Sequence, residues 1–310
     1  MKTHWSSLTS LTSGVSTLVI FGYYLAGEIK KRVRLASEPK TTIPGVVECQ
    51  AQTSLPPQMR SKLIIFIRHG QYNVKGRTPD EKVLTDLGWK QAYATGRHLR
   101  RAGIKIDRLI HSDLIRARQT TAALLIGLQD ECDTLMDSTI LPRLSSPTDF
   151  TAGMLSPVYS PYPGATFDCQ QSRFLTEGPP PVEPDPPRRH PVEESIRIAQ
   201  GRRIAAGFTV HVHPIPVTVQ GLRSYFTSHE PPPFETVVFV GHANVIRFWL
   251  CRALSIPDEA WLRFSLHHCS VTSLLLSIDP SEERLPSHGR VSSVHVGEVG
   301  HLPRQLLTTR

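Results

Sequence analysis

Short apolar runs that end abruptly at glycine and histidine organise this chain. Leu63-Ile64-Ile65-Phe66-Ile67 stops at Arg68-His69-Gly70, and much later Val237-Val238-Phe239-Val240 stops at Gly241-His242-Ala243-Asn244. Each run is short, rich in β-branched or aromatic residues and bounded by glycine, which predicts a strand buried on both faces of a parallel sheet rather than a helix segment. In open α/β sheets ligands bind beyond the carboxyl ends of the strands, so both imidazoles are expected at one edge.

Between the two histidines the pattern alternates. Thr85 is placed to cap a helix running to about Ala102, with Gly103 as its left-handed stop. Asp107 to Ser112 reads as a second strand, and Leu114, Ala117, Thr121, Leu124, Leu125 and Leu128 fall three or four apart as the core stripe of a further helix. Strand, helix, strand, helix implies an α/β fold with a mostly parallel sheet. The stretch 142–173 breaks this rhythm: it is rich in Ser, Pro and Tyr, shows no helical or strand period, and is read as an insertion. A Pro-rich strap at 179–187, a helix from about Val192 to Phe208 and a loop-like Thr209 to Glu235 follow. Val245 to Leu254 is apolar nearly all round and predicts a buried helix. Ser270 to Ile278 and Val291 to Val296 complete the sheet, with antiparallel neighbours allowed.

The N-terminal pattern is of another kind. Leu8 to Ala26 is apolar mixed with Ser and Thr, and Lys30-Lys31-Arg32-Val33-Arg34 follows at once. About 20 residues cross a bilayer, so 1–34 is expected to be a membrane anchor or targeting segment, with a secretory signal peptide as its main rival. Prolines at 39, 44, 56 and 57 mark 35–61 as a linker, and the catalytic domain is expected over 62–310.

Composition changes this picture little. The formal charge of +8 is compatible with nucleic acid, an anionic membrane or a phosphorylated substrate, but no zinc-finger or RNA-binding signature supports nucleic acid. Five cysteines, at 49, 132, 169, 251 and 269, form no C-x-x-C pair and argue against a disulfide framework. No cluster with metal-ligand spacing is apparent.

Chemistry enters with an ordered set of motifs. Arg68-His69-Gly70, then Leu84-Thr85 with Gly88 and Gln91-Ala92, then Ser112-x-Leu114-x-Arg116-Ala117-x-x-Thr120, and lastly Gly241-His242 resemble, in order and spacing, the histidine phosphatase superfamily of phosphoglycerate mutase-like proteins. Glu183-Pro184-Asp185-Pro186-Pro187, His242 to Arg247, Cys251 to Leu254 and Trp261-Leu262-Arg263 resemble its mitochondrial serine/threonine protein phosphatases. The resemblance implies a three-layer sandwich, phosphoserine and phosphothreonine protein substrates, no cofactor, a homodimer, and a single-pass placement in a mitochondrial membrane.

It also implies roles that physical reasoning supports. Neutral His69 attacks phosphorus, and the charge of Arg68 keeps it neutral while the guanidinium fork binds two phosphoryl oxygens. Arg116 and His242 bind phosphoryl oxygens, and Glu177 in Leu175-Thr176-Glu177-Gly178 is the general acid that protonates the leaving alkoxide. Gln71 stands where many members have glutamate, and the longer loops of the mutases are not recognisable, which favours a phosphatase. The linker carries no Trp, so the Trp-Asp-x-Asn-Trp-Asp motif that drives higher assembly is missing. A small-molecule phosphatase or mutase, and a noncatalytic membrane scaffold, are the competing readings.

Overall fold

The computed structural model of the chain describes residues 60–130, 158–159, 166–187, 193–212, 234–278 and 289–309. The segment 1–34 and nearly all of the linker lie outside them. Among the described residues no helix is long and apolar enough to cross a membrane.

Seven strands form one sheet: β1 (Arg60–Arg68), β2 (Arg108–Ser112), β3 (Val158–Tyr159), β4 (Thr166–Ser172), β5 (Phe234–Gly241), β6 (Val271–Ile278) and β7 (Arg290–Glu298), in the spatial order β3-β4-β2-β5-β1-β6-β7. The four central strands β4, β2, β5 and β1 are parallel, whereas β3, β6 and β7 pair antiparallel with their neighbours. The sheet is therefore mixed, with a parallel centre and antiparallel flanks.

Among the described residues four helices cover it: α1 (Asp86–Arg101), α2 (Ile115–Gln129), α3 (Glu194–His211) and α4 (Ala243–Ala253). Strand alternation decides which layer each apolar side chain joins. Ile64 and Phe66 of β1, with Val237 and Phe239 of β5, pack against Phe208 of α3 and Phe248 and Trp249 of α4. Leu63, Ile65 and Ile67, with Val238 and Val240, pack on the opposite face against Leu99 of α1 and Leu124 and Leu128 of α2. Both faces of the central strands are thus covered, which is why they read as continuous apolar runs and the fold is a three-layer α/β sandwich. Each such fully buried side chain contributes about 1.5–3 kcal/mol relative to exposure.

Helix limits follow their caps. Thr85 accepts the Gly88 amide at the start of α1, and Gly103 ends the helix at φ 67°. α3 extends to His211, past the expected stop at Phe208, and carries His211 into hydrogen-bond contact with Ser172. α2 differs from the single stripe expected of it. Arg116, Gln119, Thr120, Ala122 and Ala123 are buried along with the leucines, because α2 lies between the sheet, α1 and the C-terminal turn holding Leu302 and Leu306. The stretch read as an insertion also returns to the sheet. Its last residues, Thr166–Ser172, are β4, the parallel partner of β2. Among 167–172 only Phe167 and Ser172 are buried, and the strand carries too few apolar residues to show a period.

α1 and α2 pack at backbone contact. A Cβ on Gly96 would stand 2.0 Å from the Leu124 carbonyl oxygen, and one on Gly127 would stand 2.2 Å from that of Tyr93. Gly96→Ala must push the helices apart, and is expected to lower unfolding free energy by about 1–3 kcal/mol in urea titration. An unchanged midpoint would show that the helices separate at no cost.

Candidate active site

The carboxyl ends of the parallel strands supply the site. β1 and β5 lie side by side with Arg68 opposite Gly241, and the His69 amide donates to the Gly241 carbonyl at 2.9 Å. This brings the rings of His69 and His242 to a centroid separation of 4.9 Å. β2 ends at Ser112, and Arg116 follows on the first turn of α2. β4 leads into a turn at Arg173–Leu175 and then to Glu177, whose loop is fastened to the end of β2 by the Thr176 hydroxyl on Asp113. All five residues expected from the sequence, Arg68, His69, Arg116, Glu177 and His242, are therefore brought together.

His69 is 3% exposed and held in one tautomer. Its Nδ1 lies 2.8 Å from the Gly70 carbonyl, which can only accept, so Nδ1 carries the proton and Nε2 a lone pair. Arg116 Nε donates to that Nε2 at 3.3 Å. Gly70 is fixed in turn by Thr120, whose hydroxyl accepts the Gly70 amide and donates to the Arg116 carbonyl. The Tyr72 ring meets His69 edge-on at 5.0 Å and lies 4.9 Å from the Arg116 guanidinium carbon. Behind the loop, a Cβ on Gly88 would stand 2.0 Å from the Gln71 carbonyl oxygen, so only glycine lets α1 abut it.

Burial is the main reason that His69 is neutral. It holds the imidazole well below its ordinary value of 6.5, with His242, Arg116 and then Arg68 adding to the effect. The expected role of Arg68 in that neutrality is real but the smallest of these four. Its expected two-oxygen fork is also partly committed, because Nη1 donates to the carbonyls of Leu266 at 2.6 Å and Thr309 at 3.0 Å. Arg68 Nε is buried with no hydrogen-bond partner among the described residues.

His242 is fully buried and, chiefly for that reason, also held neutral. Its Nε2 shares a 2.9 Å hydrogen bond with the Ser112 hydroxyl, and Nδ1 faces Glu177 Oε2 at 3.7 Å. Burial raises the Glu177 carboxyl above its ordinary value, against the opposing pull of Arg116, Arg68 and Arg247. Desolvation thus pushes both partners toward their neutral forms, which weakens the contact as an ion pair.

Three contributors were not assigned roles from sequence. Ser112 lies inside a recognised motif but gave no sign that it orients His242. Arg247 reaches the field of Glu177 and Arg68 from α4. His268, just before β6, places its ring 5.5 Å from that of His69, and no periodicity or spacing marks it.

The profile of the histidine phosphatase superfamily (branch 1) matches residues 64–139 and 227–287. Over 252 residues the chain is 33% identical to the Serine/threonine-protein phosphatase Pgam5, mitochondrial, of Drosophila yakuba, covering 81% of this chain and 68% of that protein. The chain belongs to the histidine phosphatase superfamily. Its similarity to the Pgam5 of Drosophila melanogaster is 32% over 252 residues, with 81% and 68% covered. To the PGAM5 of Rattus norvegicus it is 32% over 246 residues, with 79% and 65% covered. The superfamily match takes in β1 from Ile64 onward, the first histidine, Arg116 and the second histidine. Glu177 and β4 fall between its two matched segments.

A lone pair on His69 Nε2 requires that the ring stay neutral across the working pH range. Long-range ¹H–¹⁵N spectra of the imidazole are expected to show Nδ1–H and bare Nε2 from pH 8 down to 6.5. Charging should begin only below 6.5, as pH falls through the depressed value. A His69 titration at or above 6.5 would contradict the burial argument.

Proposed function

We propose that this chain is a mitochondrial protein serine/threonine phosphatase that works through a phosphohistidine on His69. The observation that carries the reading is the His69 tautomer: Nδ1–H is tied to a carbonyl, and the Nε2 lone pair lies within reach of Arg116. The names of the relatives supply the substrate class and compartment.

In the first step Nε2 attacks phosphorus while the bond from phosphorus to the seryl or threonyl oxygen breaks. Arg116 gives up its contact with Nε2 and takes a phosphoryl oxygen. Arg68 and His242 bind the others; turning the Ser112 hydroxyl from Asp113 to His242 Nε2 leaves the Nδ1 proton for phosphate. Glu177, whose carboxyl is raised by desolvation and further by the phosphoryl dianion beside it, delivers its proton to the leaving alkoxide. In the second step the Glu177 carboxylate takes a proton from water as its oxygen attacks phosphorus, the P–N bond breaks, and inorganic phosphate leaves. Anchoring through 8–26 and assembly as a homodimer complete the proposal, both drawn from the sequence pattern and the family resemblance.

Two measurements test it. His69→Ala should abolish hydrolysis of phosphoserine peptides, and wild-type kcat/KM should favour such peptides over sugar phosphates and phosphoglycerates. Preference for the small molecules would move the assignment to a small-molecule phosphatase. Retained turnover in His69→Ala would remove the mechanism, and inactivity of the wild type toward every phosphomonoester would favour the scaffold reading. Glu177→Gln should slow phosphoserine peptides about 10²-fold or more but aryl phosphates far less, because an aryl leaving group needs little protonation. Equal losses on both substrates would show that Glu177 is not the acid. Fusing residues 1–34 to a fluorescent protein should direct it to mitochondria, and a cytosolic signal would remove the anchor.

A further inference from the structure

The hydrogen bonds behind the site lead from the C-terminal segment to a third histidine. Gln91 accepts the Gln71 amide through Oε1 at 2.8 Å, which fixes its side-chain amide so that Nε2 is the donor end. That Nε2 donates to the Leu306 carbonyl at 2.6 Å and to the Thr308 hydroxyl oxygen at 2.8 Å. Thr308 Oγ1 lies 2.9 Å from His268 Nδ1, and the His268 amide donates to the Thr308 carbonyl at 2.9 Å. With the Gln91 donor on one lone pair, the Thr308 hydroxyl still has a proton to give to His268 Nδ1 and a lone pair to accept from it. Donation by Thr308 is the arrangement that leaves the His268 proton on Nε2.

That Nε2 is buried and has no hydrogen-bond partner among the described residues. An orphaned buried polar nitrogen is costly, and such groups are uncommon unless a function uses them. His268 is 0% exposed, and its ring lies 5.5 Å from His69 and 6.2 Å from Tyr72. The His242 ring, assigned above to a phosphoryl oxygen, lies at the similar distance of 4.9 Å. Arg68 Nε and His242 Nδ1 are likewise buried without hydrogen-bond partners. Three orphaned nitrogens on side chains clustered at one nucleophile describe a cradle for an anion.

We infer that His268 is a further phosphoryl-binding residue, donating from Nε2 to an oxygen of the group carried by His69, and that Thr308 is the positioning residue that sets its tautomer. The inference rests on the phosphohistidine reading above. Burial, with Arg68 close by, lowers His268 to about 3, so it acts as a neutral donor throughout the working pH range. The C-terminal segment thereby becomes part of the site, since Thr308 orients His268 while the Thr309 carbonyl holds Arg68.

The test uses the full chain, an aryl phosphate and orthovanadate, a mimic of the five-coordinate phosphoryl group. His268→Asn keeps a polar atom near the position of Nδ1 and loses the donor at Nε2. His268→Gln places an amide N–H near Nε2. Loss of a hydrogen bond to a charged group costs about 10-fold to 100-fold, so His268→Asn should lower kcat/KM and vanadate affinity together by that factor, with His268→Gln recovering most of both. Thr308→Val should weaken vanadate binding and shift the His268 ¹⁵N pattern toward the Nδ1–H form. In the wild type, the His268 Nε2–H resonance should move when vanadate binds, a readout that survives if a variant fails to fold. An active wild type whose His268 resonance is indifferent to vanadate, or a folded His268→Asn with unchanged vanadate affinity, would overturn the inference. A wild type that neither turns over nor binds vanadate would instead overturn the phosphatase reading beneath it.

Discussion

The site depends on the parallel register of β1 against β5. With Arg68 opposite Gly241, the residues that follow the two strands, His69 and His242, leave the sheet side by side. A one-residue slip would send each following side chain to the other face. That register is enforced by burial on both faces, because Ile64 and Phe66 are committed to one helical layer and Leu63, Ile65 and Ile67 to the other. Catalytic geometry and core packing are therefore one constraint, and a change that unseats the strands unseats the histidines.

Electrostatics follow from the same enclosure. The two imidazoles are neutral chiefly because they are buried, and Glu177 is raised for the same reason. The arginines act in two directions at once. They reinforce the neutrality of the histidines, and they draw the carboxyl back toward ionisation without prevailing over burial. Positive charge beside two neutral imidazoles suits an incoming phosphoryl dianion, whose binding adds the negative charge that the arginines and orphaned nitrogens lack.

Much of this was legible in the chain. Gly-bounded apolar runs marked β1 and β5 because they are buried on both faces, and Thr85 and Gly103 marked the ends of α1 because a cap and a left-handed stop need those residue types. The ordered motifs located His69, Arg116 and His242. β4 escaped notice because five of its residues are polar, and its place comes from pairing with β2 rather than from an apolar period. The burial of α2 around most of its circumference arises from the C-terminal turn, which is remote in sequence. His268 was silent for the same reason: its orientation depends on Thr308, and that contact exists only once β6 and the C-terminal segment are in place.

The central claim is that His69 Nε2 is the atom that takes the phosphoryl group. Rapid alkaline quenching during turnover of a phosphoserine peptide, followed by mass spectrometry and ³¹P NMR of the trapped protein, tests it directly. The account predicts one acid-labile phosphoramidate on His69 with phosphorus bonded to Nε2. Phosphorus on Nδ1, on another residue, or undiminished turnover with no trapped phosphoenzyme would contradict it.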